Sequence, residues 1–255
     1  MKRLAAALAV TALATGCATA PAPVPGEATP QRAASPADPW ENWNRKVFAF
    51  NDQVDEAVVR PVAEAYRDHV PQIVRTGIGN VLGNIRDVWS AANQFLQGKP
   101  ADGLEMSARV LVNTTMGLFG LLDWGTELRL ERRSEDFGQT LGVWGAGAGP
   151  YVVLPLLGPS SVRDGLSWPV DRVFAPSRLP QTDAGSYTVL ATELLNARSD
   201  LLETTQLLDR VALDRYSFVR DAYLSRRLDQ VYDGAPPLVD YDDDGYGDGE
   251  AAPAQ

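Results

Sequence analysis

Cys17 is the only cysteine among 255 residues, and its setting gives it a chemistry. Met1-Lys2-Arg3 is basic, residues 4–13 form a short apolar run, and Ala14-Thr15-Gly16 brings small side chains up to Cys17. That order reads as an export signal cleaved before a cysteine that then carries covalent lipid. Ten apolar residues rise only ~15 Å as a helix, half of the ~30 Å hydrocarbon layer, so the run is too short for a retained span. Ala14 stands where such signals usually place Leu, Val or Ile, and Leu13 sits one residue earlier. A lone cysteine leaves no intrachain disulfide, so packing must stabilise the fold. Ala18 follows, where Asp would mark retention at the inner membrane, so the expected address is the inner leaflet of the outer membrane.

The other residues with chemical potential form no reaction centre. His69, the sole histidine, stands beside Asp68, but no nucleophile-elbow pattern supplies a serine for it and no second histidine would share a metal. Gly145, Gly147 and Gly149 hint at a phosphate loop, yet the next glycine of that fingerprint is missing and no strand pattern precedes them. Glu131, Arg132, Arg133, Glu135 and Asp136 mix both signs so densely that a solvated face is the expectation. Asp240, Asp242, Asp244 and Gly245 open like a calcium loop, but its twelfth position is Ala251 where a bidentate Glu is needed. The residues therefore predict a non-enzyme without a metal site and without a cofactor beyond the lipid on Cys17.

Charge narrows the partners. Without Lys2 and Arg3, 21 basic residues face 33 acidic ones, and eight of the acidic residues lie from Asp229 onward, where there is no Lys or Arg. The remainder is near neutral, so no basic face for nucleic acid is expected. These readings divide the chain into a signal over 1–16, a flexible lipidated tether over 17–37 rich in Ala, Pro and Thr, a body over 38–231, and an acidic disordered tail over 232–255.

Helices must position whatever the body does. Asp38-Pro39 with Glu41 reads as a helix start, and Trp40, Trp43, Val47, Phe50, Val54 and Val58 recur at steps of three and four until Arg60-Pro61 ends the run. A short turn of helix follows, ending near Val70-Pro71. Val74, Ile78, Val81, Ile85, Val88, Ala92 and Phe95 form a second stripe, closed by Gly98 and Pro100. Gly77, Gly79 and Gly83 inside it weaken the helix by ~1 kcal/mol each unless they admit close neighbours. Asp102 and Glu105 open a third helix. Leu190, Leu194, Ala197 and Leu201, then Leu208, Val211, Phe218 and Ala222, continue the pattern, with a possible restart at Asp200. No alternation typical of hairpin strands is evident, so the body is predicted to be mainly α.

Two stretches depart from ordinary amphipathic helices. Residues 110–122 carry only Asn113, Thr114 and Thr115 as polar members, and as a helix they rise ~20 Å, enough for one leaflet. Between Asp136 and Arg163 no residue is charged, while Gly142, Gly145, Gly147, Gly149, Pro150, Pro155, Gly158 and Pro159 oppose a long helix or a central strand. Such a segment either packs as an apolar loop in an ordinary core or enters lipid with its backbone shielded by other helices or a watery cavity.

These residues resemble the MlaA, or VacJ, family of outer-membrane lipoproteins. The likeness runs from about Asp38 to Val231, in Asn44-Arg45, Phe50-Asn51, Val59-Arg60-Pro61, Tyr66-Arg67-Asp68, Phe95-Leu96-Gln97-Gly98 and Phe137 through Gly142. It continues in Gly149-Pro150-Tyr151, Leu154-Pro155, Gly158, Ser160, Arg163-Asp164 and Arg220-Asp221-Ala222-Tyr223. The resemblance implies a single ring-like helical domain lying in one membrane leaflet, with an amphipathic channel through it. Phospholipid misplaced in the outer leaflet would pass down the channel to a soluble periplasmic lipid carrier, preserving lipid asymmetry. Trimeric porins are implied as partners. Leu118, Phe119, Leu121, Leu122 and Trp124 are candidates for a membrane-facing belt, and Pro150, Tyr151, Leu154, Pro155, Leu156 and Leu157 for a channel wall. A lipoprotein that only scaffolds porins is the competing reading.

Overall fold

The computed structural model describes residues 35–237; the signal, Cys17, most of the tether and the acidic tail with Asp240, Asp242 and Asp244 lie outside the described residues. The chain enters through α1, Glu41–Val54, widens into a π-helical turn at Asp55–Val59, and continues as α2, Arg60–His69. Both predicted ends of the first run need correction. Asp38 is fully buried, accepting from Asn44 Nδ2 at 2.8 Å and from the Tyr216 hydroxyl, and no side chain caps the entry at Trp40. Arg60-Pro61 does not stop the helix. A proline forfeits an amide and crowds the carbonyl four residues back, and the wide turn just before it, closed by Arg60 N–H on the Asp55 carbonyl, carries the chain past both problems. The stop comes at Val70, extended ahead of Pro71.

α3, Gln72–Leu96, closes through Gly98 at φ 76° and lies along α4, Pro100–Thr115. The helix expected over 110–122 is shorter than its composition suggests. It ends at Thr115, because Leu118, Phe119 and Gly120 have φ of 53°, 61° and 93°, a left-handed path that no helix of L-residues continues. α5, Trp124–Glu127, is capped by Asp123, and α6, Phe137–Val143, by Asp136, which accepts from Gln139 N–H at 2.8 Å.

A β-hairpin follows where the sequence showed none. β1, Tyr151–Leu154, pairs antiparallel with β2, Gly158–Ser161, with Tyr151 opposite Ser161 and Leu154 opposite Gly158. α1 supplies the missing edge. Asn44 donates to the Tyr151 carbonyl at 3.0 Å and accepts from Val153 N–H at 2.9 Å, and Asn51, two turns on, repeats the pattern with Leu154 and Leu156 at 3.0 and 2.7 Å. Each carboxamide thus substitutes for a strand's peptide group.

α7, Val162–Val173, starts from the Ser161 cap and leads through a 3-10 turn at Pro176–Arg178 to α8, Asp183–Val211. α8 runs unbroken through Asp200, so the predicted restart there does not occur. The break is at 212–214, before α9, Arg215–Val231. α9 brings the body back to its beginning, with Tyr216 on Asp38 and Arg45 held bidentate by Asp214 at 2.7 and 3.2 Å. The fold is mainly helical, and no helix among the described residues is long and apolar enough to cross a membrane.

Candidate functional site

α3 decides what the body can do, because its two faces are reversed relative to a water-soluble helix. The apolar stripe lies largely outward: Val74, Val88 and Phe95 are 46%, 57% and 45% exposed, and Ile78, Val81, Ile85 and Ala92 are half-buried. Gly77, Gly83, Asn84, Asp87, Ser90, Asn93 and Gln94 face inward and are buried. α8 repeats the reversal, burying Asn196 and Ser199 while Leu194 and Leu201 stay half exposed. Among the described residues nineteen polar or charged side chains are buried against nine hydrophobic ones. In water such a distribution forfeits the main driving force of folding; in hydrocarbon it is the arrangement that keeps polar groups from oil.

Paired charges fill this interior. Arg109, 2% exposed, grips both oxygens of Asp123 at 2.6 and 2.7 Å and donates to the Leu130 carbonyl at 2.6 Å. Asp87, equally buried, accepts from Arg132 Nε at 2.9 Å. Arg227 spans Asp136 and Asp164, and Arg163 and the Tyr223 hydroxyl also reach Asp164. Burial alone would push the Asp164 carboxyl up, but the bonds from Arg227 and Tyr223 outweigh it and hold it at about 2. The solvated face expected for residues 131–136 holds at Glu131 and Arg132, which are exposed although Arg132 Nε bonds Asp87, and is corrected at Glu135, which is buried, and at Asp136, which is half-buried against Arg227.

Two cavities lie within the polar region. The first, about 590 Å³, opens between α3 and α8 and is lined by Arg67, Arg75, Asn80, Asn196, Ser199 and Asp200 among others. The second, about 480 Å³, adds aromatic walls from Trp89, Trp168 and Phe174 beside Glu135 and Asp171. Burial pushes both carboxyls up, opposed by the Gln97 amide at Glu135 and the Trp89 indole at Asp171. Arg86, Arg132 and Glu193 border both cavities, so the two meet there. The glycines of α3 make room: a Cβ on Gly77 would fall 2.7 Å from Leu121 Cδ1, and one on Gly83 would overlap the Arg132 guanidinium.

The residues singled out from sequence separate into three places. Leu118, Phe119, Leu121, Leu122 and Trp124 form an exposed apolar corner after α4, Phe119 reaching 78% exposure. At the hairpin, Pro155, Leu156 and Leu157 form an exposed tip, with Leu156 at φ 62°, and Leu157 alone of the whole set borders the second cavity. Tyr151 is fully buried, stacked edge-on to Tyr216 and joined by Val47 and Val153 in a small hydrophobic core, while Pro150 and Leu154 are half-buried. Arg75, Arg86, Arg132, Asn196 and Glu193, which shape the cavities, carry no motif that would single them out. Their one signal is polar residues recurring opposite an apolar stripe, at Asn80, Gly83, Asn84, Asp87 and Ser90. His69 sits exposed at the end of α2 with Nδ1 2.8 Å from the Ala65 carbonyl.

Comparison with known proteins agrees with this architecture. The family model described as MlaA lipoprotein matches residues 36–230. A lipoprotein of Escherichia coli named for an intermembrane phospholipid transport system is 36% identical over 242 residues, 88% of this chain and 86% of its own length. Its namesake in Haemophilus influenzae is 30% identical over 203 residues, 77% of this chain and 80% of its own. A solved structure reported as the structural basis for maintenance of bacterial outer membrane lipid asymmetry superimposes with a TM-score of 0.65 at 36% identity, covering 76% of this chain and 98% of that one.

Proposed function

We propose, since this chain belongs to the MlaA lipoprotein family, that its body lies in the inner leaflet of the outer membrane and conducts phospholipid through its polar interior. Membership makes it an envelope lipoprotein of an intermembrane phospholipid transport system; the channel, its direction and its partners are our reading. One observation carries it: the inverted faces of α3 and α8, apolar outside and polar inside. Acyl chains prefer apolar surroundings by ~0.8 kcal/mol per methylene, so a lipid crossing water with its tails bare is excluded. A charged head has the opposite demand. With cavities of about 590 and 480 Å³ for the head and an outer surface of leucines and valines for the tails, both demands are met at once.

In this reading Cys17 carries the lipid anchor, and the corner at Leu118, Phe119, Leu121, Leu122 and Trp124 seats the body in hydrocarbon. Phospholipid misplaced in the outer leaflet enters, passes the cavities and is delivered to a soluble periplasmic carrier, preserving lipid asymmetry. Trimeric porins are the neighbours that would hold the body at the right depth. No chemistry is performed on the lipid. Phospholipid measured on the detergent-purified protein, together with surface phospholipid in a deletion strain, tests the proposal. Transfer requires bound lipid and surface accumulation; neither would be found for a porin scaffold, and lyso-lipid products dependent on His69 would mean a hydrolase.

A further inference from the structure

In the second cavity one carboxylate oxygen is left over. Arg86 meets Glu193, Arg132 meets Asp87 and Asp136 meets Arg227, while the buried Glu135 has its two oxygens taken by the Gln94 and Gln97 amides. Arg172, the remaining cation of the lining, is bonded to Ser177. Asp171 is settled only on one side: its Oδ1 accepts from the Trp89 indole at 2.7 Å and from Phe137 N–H at 2.8 Å, neutral donors that fix the carboxylate without cancelling its charge. Its Oδ2 takes no hydrogen bond and forms no ion pair among the described residues, yet it is not sealed off from the cavity. The surroundings are aromatic. Trp89 stacks on Phe174 with ring centroids 3.9 Å apart, and its N–H edge touches the carboxylate. Trp168, three residues before Asp171 on α7 and so its neighbour along that helix, lines the same cavity and is partly exposed.

We propose that Asp171 receives the ammonium of an amine-bearing phospholipid head beside Trp89 and Trp168, so that the second cavity favours ethanolamine-type heads over heads that end in an alcohol. This deepens the transport reading and rests on it. An ammonium brings charged donors to the open Oδ2, and a nearby indole attracts a cation by about 0.5–2 kcal/mol. A glycerol head offers the same oxygen only a neutral hydroxyl, a weaker partner by about half. A calcium ion would need six or more oxygens, far beyond the single one that Asp171 leaves open. Because one carboxylate oxygen does the holding, the head is released as readily as a passage requires.

The test equilibrates the full lipidated chain, purified in detergent, with equal amounts of phosphatidylethanolamine and phosphatidylglycerol of identical acyl chains, and counts each lipid bound per protein. Wild-type protein should hold phosphatidylethanolamine in about threefold to tenfold excess, the worth of one charge-assisted bond at an accessible oxygen. D171N should bring the ratio close to one. Asparagine keeps an oxygen for Trp89 and Phe137, so the variant retains the place of Asp171 in the fold. W168L, at a partly exposed side chain, should lower the ratio about twofold and serves as a second reading. A wild-type ratio of one, or a D171N ratio as high as the wild type's, would overturn the ammonium site and leave the transport reading standing. Wild-type protein devoid of both lipids would overturn the transport reading itself. Free ethanolamine erasing the preference at concentrations comparable to the lipid's would assign Asp171 to a soluble amine, against the proposal.

Discussion

Two regions of this protein bury opposite things. Around β1, the residues Val47, Tyr151, Val153 and Tyr216 close into a hydrophobic core with Phe48, Tyr223 and Leu224 against it, as in a protein that folds in water. Along α3 the interior is mostly polar, with Asn84, Asp87, Ser90, Asn93 and Gln94 beside Leu82 and Ala91, and Val74, Val88 and Phe95 point out. The first region holds itself together by expelling water. The second cannot, so its interior is held by ion pairs and hydrogen bonds whose partners must all be present. A surface that looks like an error in one solvent is correct in another, and under the proposed transport reading the contrast marks the part of the body that would meet lipid.

The comparison is broken most directly at Arg109. R109L should cost about 3–5 kcal/mol in equilibrium unfolding, because Asp123 would lose the cation that holds both its oxygens and the Leu130 carbonyl its donor, while Asp87 keeps Arg132. A loss below about 1 kcal/mol would mean that water already fills this region. Acid acts more mildly, at Asp164. Asp164 is held at about 2, below its unfolded value near 3.9, so the stability it contributes is complete above about pH 4 and disappears as pH falls toward 2. Full expression corresponds to about 2 kcal/mol, and D164N should remove that part of the pH dependence in urea melts between pH 5 and 2.

Smaller effects sharpen the contrast. The Tyr151 hydroxyl is buried without a hydrogen-bond partner in the hydrophobic core, so Y151F should raise stability by up to about 1 kcal/mol, measured as a shift of the urea midpoint. V88S, on the exposed stripe of α3, should change unfolding in detergent by less than about 0.5 kcal/mol yet reduce retention of the protein by phospholipid vesicles. If V88S destabilises as a core substitution does, the outward stripe is covered by protein and the lipid-facing assignment fails.

The helices were legible because an apolar stripe at steps of three and four marks a helix whatever it faces. Which way the stripe points was not, since periodicity is the same for a face turned to a core and one turned to lipid. The hairpin was invisible for another reason: Gly158, Pro159, Ser160 and Ser161 have no strand signature, and the strands are held by Asn44 and Asn51, more than a hundred residues away. Pro61 misled because a proline normally closes a helix, whereas here a widened turn precedes it. Among the site residues, the apolar corner after α4 drew attention through its composition. Arg86 carried no motif, and Arg132 was read with its charged neighbours as a solvated face, because charges crowded in sequence look hydrated until the chain path shows them bordering a cavity.

That widened turn at Asp55–Val59 also sets an angle. Each helical residue advances the azimuth by about 100°, so one extra residue taken up in a π turn aims everything downstream at a different compass point from everything upstream. α1 can therefore present Asn44 and Asn51 to the hairpin while α2, continuous with it, seals the fully buried Ala63 and offers the Tyr66 hydroxyl to Asn196 of α8 at 3.2 Å. Asp55, at the pivot, is clasped by Nε and Nη2 of Arg198 at 2.7 and 2.8 Å. A single rod thus serves two differently oriented neighbours, and shortening it by one residue there would leave the length almost unchanged while turning half of its contacts away from their targets.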